Sequence, residues 1–247
     1  MLNKSVISPA LTGLLCFSLA VLSQAAVAAQ SPQGDTRASI LKLPDWSGTW
    51  IGSSTMFNIP GKVPPMLTPM GAARLEEYKK EAAAGRYLVA QERCSPRGMP
   101  LVMSGAYAAY EFLFTPGQVT IIPETNEVRR IYTDGRKQLE DPDPTFNGHS
   151  VGHWEGNVLV VDTLGVLPES ELLAYLPETG KTHITERIYR KSADVMQIDT
   201  VIEDADLLAK PWSYSRSYKR SPSEMTEFIC TQSSESNSSE YDLTPPK

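Results

Sequence analysis

The stretch NGHSVGHWEGNVLVVD, residues 147–162, decides how the rest of the chain is interpreted. It contains GHSVG, which matches the Gly-x-Ser-x-Gly pattern of a hydrolase nucleophile elbow. An elbow requires a buried strand before the serine and a helix after it. Residues 141–148 instead hold two prolines among turn-forming polar residues, and the segment after GHSVG is rich in β-branched residues. The stretch therefore favours two antiparallel strands, residues 149–154 and 157–163, over an elbow.

Short β-type segments dominate the chain after residue 107. The candidate strands are residues 110–115, 118–123, 128–133, 149–154, 157–163, 183–191, 195–203, 212–219 and 225–231. Near the start of the folded part, Gly48-Thr49-Trp50 resembles the Gly-x-Trp signature of lipocalin-like barrels. No helical segments separate the strands, which disfavours a parallel α/β fold. We predict an all-β fold, an antiparallel meander closed as a lipocalin- or calycin-like barrel, with a two-sheet sandwich as the alternative.

One substantial helix is predicted before this β-rich region, over residues 69–84. Thr68 can cap its first turn, Pro69 suits the first helical position, and Gly85 can end it. An apolar stripe runs along one side of the helix, so we expect it to pack over an end or a side of the sheet.

The first 28 residues are typical of a secretory signal. Lys4 gives a positive start, residues 11–22 form an apolar core, and Ala26-Val27-Ala28 is a small-residue cleavage site. The apolar run is too short for stable membrane insertion, so a periplasmic or secreted protein is predicted. Removal of this segment would leave about 219 residues, enough for one domain with a sizeable core.

The rest of the chain is predicted to form a disordered leader over residues 29–42, a single barrel domain over residues 43–232, and a disordered tail over residues 233–247. The formal net charge is −6 and no basic run occurs, so nucleic acid is not an expected partner. Cys94 and Cys230 are predicted to form a disulfide in an oxidising compartment, two buried thiols being the alternative. The sequence leaves the oligomeric state open.

Several sequence blocks resemble a family of exported, largely uncharacterised bacterial proteins. The blocks are PDWSGTW (44–50), EFL with TPGQ (111–118), IYTDGR (131–136), DPTFNGHSVGHWEG (143–156), LVVDT (159–163) and ITERI (184–188). The resemblance covers most of residues 44–230 and implies a β-barrel and export, without a defined activity. Phe146 departs from the pattern, where a tryptophan is expected, but keeps the aromatic character.

Several predicted strands carry a face that mixes aromatic rings with single charged or polar side chains. This composition suits a small-molecule cavity inside a barrel, although a solvent-facing surface has a similar composition. The residues predicted to bind a small-molecule substrate or ligand are Arg130, Tyr132, Arg136, Tyr110, Trp154, Arg187, Tyr214 and Tyr218.

Two of the three histidines, His149 and His153, lie four residues apart in one predicted strand. At about 3.3 Å per residue they are about 13 Å apart, too far to share a zinc ion in a regular strand, so no metal site is predicted. A bulge at Gly148 and Gly152 that brings the two histidines closer is the alternative. A histidine beside a carboxylate can instead move protons. The predicted catalytic residues are His149, His153, Asp134, Asp162 and Glu186. The sequence contains no phosphate loop, dinucleotide fingerprint or haem-attachment motif, so no cofactor is predicted.

Three functions are compatible with these observations. The first is an exported barrel that binds a small aromatic or apolar molecule and converts it by cofactor-free acid/base chemistry, as a lyase or isomerase; lignin-derived aromatics are one candidate substrate class. The second is a carrier with the same cavity and no chemistry. The third is a serine hydrolase that uses Ser150 as nucleophile, with Asp162 and His183 following in the order Ser, Asp, His.

Overall fold

A computed structural model describes residues 33–53, 64–87, 94–104, 108–173, 175–226 and 228. The helices are α1 (Arg37–Ile40) and α2 (Pro69–Ala83), and a 3-10 turn spans Leu101–Ser104. The strands are β1 (Thr49–Gly52), β2 (Ala109–Thr115), β3 (Gln118–Pro123), β4 (Arg129–Tyr132), β5 (His149–Glu155), β6 (Val158–Leu164), β7 (Glu171–Leu173), β8 (Leu176–Pro177), β9 (His183–Ser192), β10 (Val195–Glu203) and β11 (Trp212–Ser221).

Nine of these strands form a closed barrel, as the sequence predicted. Hydrogen bonds join them in the order β1-β11-β10-β9-β6-β5-β4-β3-β2, and β2 returns to β1. All neighbours are antiparallel except β4 and β5, which run parallel and pair at only two positions, Ile131 with Ser150 and Tyr132 with Val151. The connection between β4 and β5 must return to the end of the barrel where β4 began. The expected meander is therefore interrupted at one place.

The predicted strands between residues 110 and 219 all occur, with ends shifted by one or two residues. The last predicted strand, residues 225–231, is different: Met225, Thr226 and Phe228 are not in a strand, and its other residues lie outside the described part of the chain. The ninth position in the barrel belongs to β1, which pairs with both β2 and β11. The Gly-x-Trp segment at the start of the folded part therefore closes the barrel.

Large side chains fill the barrel interior. Alternate residues of each long strand point inward, so that Trp212, Tyr214, Arg216 and Tyr218 of β11 are all buried. Aliphatic residues from β3, β6, β9 and β10 occupy the remaining space. The prediction that the ligand cavity would be the barrel interior stays a prediction; the large cleft described below lies at one end of the barrel.

An aromatic cluster occupies the opposite end. The Trp46 ring packs edge-on against Phe112 and Phe114 and lies 5.2 Å from the Trp154 ring, measured between centroids. Trp50 donates its indole N–H to the carbonyl oxygen of Trp46 at 2.9 Å. These contacts pack this end of the barrel with aromatic side chains.

Helix α2 begins and ends where its sequence predicted. The Thr68 hydroxyl accepts the backbone N–H of Gly71, Pro69 is the first helical residue, and Gly85 adopts a positive φ of +72° after the last turn. Gly71 lies so close to Leu207 that a Cβ atom there would be 2.4 Å from the Leu207 carbonyl oxygen, so this contact requires a glycine. The helix thus packs against the loop between β10 and β11.

The expected leader segment, residues 29–42, is described from residue 33 onward. It includes the helical turn α1, with a capping box between Thr36 and Ser39. The Gly34 carbonyl accepts the N–H of Gly117 at 2.9 Å, which ties this segment to the β2–β3 hairpin. No helix in the described ranges is long and apolar enough to span a membrane.

Candidate functional site

A cleft of about 1190 Å³ lies at the end of the barrel where β2, β4 and β5 begin. Its wall includes the first residues of these strands, the 3-10 turn and the connection between β4 and β5. Apolar and aromatic side chains line it, among them Val102, Val128, Tyr132, Leu139 and Phe146. The polar lining includes Arg97, Glu127, Arg130, His149 and Ser150. A mainly apolar cleft with a few polar groups is the usual form of a small-molecule site.

His149 is the histidine that lines this cleft. Its Nδ1 atom lies 2.6 Å from Oε1 of Gln138, and its ring centroid is 5.6 Å from that of Tyr132. The Arg136 guanidinium lies over the Tyr132 ring, 3.8 Å from its centroid. Burial, and secondly the positive charge of Arg136, lowers the pKa of His149. The imidazole is therefore neutral at pH 7 and can accept a hydrogen bond or a proton.

The histidines and carboxylates predicted to be catalytic do not come together. His153 is exposed on the outer face of β5, and its Nε2 lies 3.4 Å from Glu155. Asp134 forms an ion pair with Arg136 at 2.6 Å, just after β4. The Arg136 guanidinium lowers the pKa of Asp134, so this carboxylate is held in its charged form.

The other two predicted carboxylates also have partners of their own. Asp162 contacts Nε2 of His183 on the outer face of the barrel, because β6 and β9 are neighbours. Glu186 points into the interior and pairs with Arg129. Of the five predicted catalytic residues, His149 alone lines the cleft. The described contacts therefore do not pair His149 or His153 with Asp134, Asp162 or Glu186.

Ser150 has the wrong surroundings for a nucleophile. It lies inside β5, buried on the interior face, and β5 runs directly into a hairpin with β6. Its hydroxyl lies 2.8 Å from the Thr163 hydroxyl and accepts a hydrogen bond from Arg129 at 3.3 Å. Asp162 and His183 do contact each other, but on the opposite face of the sheet. The Ser-Asp-His arrangement of the hydrolase hypothesis is not assembled.

The residues predicted to bind the ligand fall into three places. Tyr110, Arg130 and Tyr132 line the cleft, and Arg136 stacks on Tyr132 beside it. Tyr214 and Tyr218 are buried in the interior, where burial raises the pKa of both phenols and keeps them neutral. The remaining two, Trp154 and Arg187, lie in the aromatic cluster at the opposite end and on the exposed outer face, respectively.

Two residues of structural importance were missed from the sequence. Arg129 is completely buried, and its Nη2 atom donates to Glu186, to Ser150 and, at 3.2 Å, to Thr163. Strand alternation gives a signal for it, because Arg129 must face opposite to Arg130. Gln138 belongs to the β4–β5 connection, and nothing in its polar surroundings distinguishes it in the sequence.

The comparisons with known proteins do not add a family or a function. No protein-family model and no curated protein matches the chain. Within the part of the chain that the structure describes, no group of three or more His, Cys, Asp or Glu side chains is placed to hold a metal ion. The predicted disulfide stays a prediction, because Cys230 lies outside the described residues.

Proposed function

We propose that the protein binds a small, largely apolar or aromatic molecule in the cleft at the end of the barrel. The observation that carries this proposal is the cleft itself: a concave site of about 1190 Å³ with several aromatic and aliphatic side chains and a few polar groups. Ligand sites in proteins commonly have volumes of about 300–1,000 Å³, so the cleft has room for one such molecule. The packed interior supports placing the ligand at the mouth.

Two rings on the wall are well placed to meet a flat ligand. The Tyr132 ring contacts both Arg136 and His149, and the Phe146 side chain is half-buried in the β4–β5 connection. Aromatic rings held in this way offer a large apolar surface and lose little conformational freedom on binding. Arg130, on β4, is exposed at the cleft wall, where its guanidinium can pair with a negatively charged ligand group.

A matched pair of leucine variants tests the location of the site. Leu139 lines the cleft and Leu113 lies on β2 outside it, and their exposed fractions are similar, 51% and 47%. With 2-naphthol as the probe, we expect Leu139→Asp to weaken binding about tenfold, because apolar contact is lost and a charge is introduced. Leu113→Asp should bind as the wild type does. Isothermal titration calorimetry measures both, and equal affinities for the two variants would contradict the proposed site.

A second candidate is catalysis by proton transfer, and the neutral state of His149 favours it. A base with a lowered pKa at the wall of an apolar cleft can remove a proton from a bound molecule. This would make the protein a cofactor-independent lyase or isomerase acting on a hydroxylated aromatic compound. The check is incubation of the wild type with a panel of such compounds at pH 7.5, followed by chromatography. We expect product formation that is lost in His149→Gln; unchanged compounds would leave binding as the only function.

A further inference from the structure

We infer that Gln138 fixes which ring nitrogen of His149 carries the proton, so that Nε2 presents a lone pair to the cleft. The two side chains come from different segments: Gln138 belongs to the β4–β5 connection, and His149 is the first residue of β5. They meet through Oε1 of Gln138 and Nδ1 of His149, which are 2.6 Å apart.

Three backbone groups determine the orientation of the Gln138 amide. Its Nε2 donates to the carbonyl oxygens of His149 and Asp162, each at 3.0 Å. Its Oε1 accepts the backbone N–H of Leu139 at 3.0 Å. A flipped amide would place its oxygen against two carbonyl oxygens and its NH₂ group against an N–H donor. All three contacts would then be repulsive, so only the observed orientation satisfies them.

The orientation of the amide determines the tautomer of the histidine. An amide oxygen can only accept, so Nδ1 of His149 must be the donor in the contact with Gln138. A neutral imidazole has one N–H group, and the other nitrogen is then an acceptor. Nε2 of His149 makes no hydrogen bond within the described chain, and the ring lines the cleft. Gln138 is therefore a positioning residue that acts on the cleft through His149.

The lone pair on Nε2 of His149 determines which ligands the cleft accepts, and this step rests on the proposed function. A lone pair at the wall of an apolar cleft selects molecules that carry a hydrogen-bond donor, such as a phenolic or alcoholic hydroxyl group. A methyl ether of the same shape cannot donate and leaves the lone pair unsatisfied. The ligand class is therefore a small hydroxylated molecule with an apolar or aromatic body.

The tautomer is measured directly by long-range ¹⁵N–¹H correlation NMR of protein labelled at histidine, at pH 7.5. His149→Gln identifies the signals of this ring. In the wild type we expect the Nδ1–H form, with Nε2 at the chemical shift of an unprotonated nitrogen. Gln138→Met, which keeps the length of the side chain without its hydrogen bonds, should shift the ring toward the Nε2–H form. A wild-type ring already in the Nε2–H form overturns the inference, and so does an unchanged tautomer in Gln138→Met.

A matched control separates this effect from a general loss of structure. Gln118 lies on β3, where its amide donates to Thr120 at 2.7 Å, and it is not part of the cleft wall. Gln118→Met should leave the His149 signals unchanged. Gln118 pairs across the strands with Tyr132 but has no hydrogen bond to His149. A change of the His149 tautomer in this variant would show that the ring responds to the loss of a glutamine that does not bond to it, which would overturn the specific role of Gln138.

The selectivity for a donor is measured with 2-naphthol and 2-methoxynaphthalene by calorimetry. We expect the wild type to prefer 2-naphthol by about threefold to tenfold, the range of one net hydrogen bond. Gln138→Met should lose most of this preference and keep its affinity for the ether. If neither compound binds, the proposed function fails, and the NMR result decides the tautomer on its own. If both bind equally to the wild type, the donor selectivity is wrong while the cleft remains a binding site.

Discussion

Arg129→Met is expected to lower the free energy of unfolding by about 3–5 kcal/mol, the usual loss when one partner of a buried ion pair is removed. Arg129 and Glu186 have exposed side-chain fractions of 0% and 1%, and they form an ion pair inside the barrel. Without the guanidinium, the Glu186 carboxylate would stay buried without its ion-pair partner. Ser150 and Thr163 would also lose a hydrogen-bond donor.

The double variant Arg129→Met/Glu186→Leu tests whether this loss comes from the unpaired charge. Replacing both members of a buried pair by apolar side chains is often neutral or stabilising, so the double variant should recover most of the stability. Urea unfolding followed by far-UV circular dichroism at pH 7 measures both variants. Arg136→Met is the control, because it breaks an exposed ion pair with Asp134 and should cost less than about 1 kcal/mol. A double variant as unstable as Arg129→Met would show that packing, and not charge, explains the loss.

Strand alternation predicted correctly which residues of a strand share a face. The sequence pattern separates Ser150 from His149 and His153 in β5. In the structure Ser150 lies on the interior face, and the two histidines lie on the outer face. The same period predicts the buried row on β11 that includes Tyr214 and Arg216. Alternation is local in the chain, and each strand needs only its own residues to show it.

The pairing of strands could not be predicted in the same way. His183 meets Asp162 because β9 lies beside β6, with the short strands β7 and β8 between them in sequence. Likewise, β4 and β5 pair in parallel because the connection between them returns to the end of the barrel where β4 begins. Register and neighbour choice depend on contacts between distant segments, which no single-strand pattern contains. For this reason the sequence identified His149 as a candidate but not Gln138, its hydrogen-bond partner.

Glu178 and Thr182 form a second buried polar site, at the same end of the barrel as the cleft. Thr182 Oγ1 contacts both the Glu178 carboxyl group and, at 2.9 Å, the Asp204 carboxylate. Asp204 also accepts two backbone N–H groups, as an ionised carboxylate does. The threonine has one hydroxyl hydrogen, so when it donates to Asp204 it must accept from a protonated Glu178. Burial, with a further contribution from the Asp204 charge, raises the pKa of Glu178 to about 8.

This raised pKa is expected to make the protein less stable as the pH increases from about 4.5 to about 8. Below about pH 4.5, the ordinary pKa of the group, Glu178 is protonated in both the folded and the unfolded chain. Between the two values only the unfolded chain releases the proton, which favours unfolding. Above about pH 8 Glu178 is ionised in both the folded and the unfolded chain, and its contribution to the free energy of unfolding no longer changes with pH. At about 1.4 kcal/mol per pKa unit, the loss is on the order of 4–5 kcal/mol.

Glu178→Gln isolates this effect, because the amide can donate to Thr182 as the protonated acid does but does not titrate. Urea unfolding measures the free energy of unfolding of both proteins at each pH. We expect the value for the wild type minus the value for Glu178→Gln to fall steadily between pH 4.5 and pH 8. Glu76→Gln is the control: Glu76 is an exposed residue of α2 paired with Lys79, and its difference from the wild type should be nearly constant over the same range. If the Glu178→Gln difference is equally constant, Glu178 is charged in the folded protein at pH 7. Thr182 would then donate to Glu178, and Asp204 would keep the Thr179 hydroxyl, at 2.6 Å, as its hydroxyl donor.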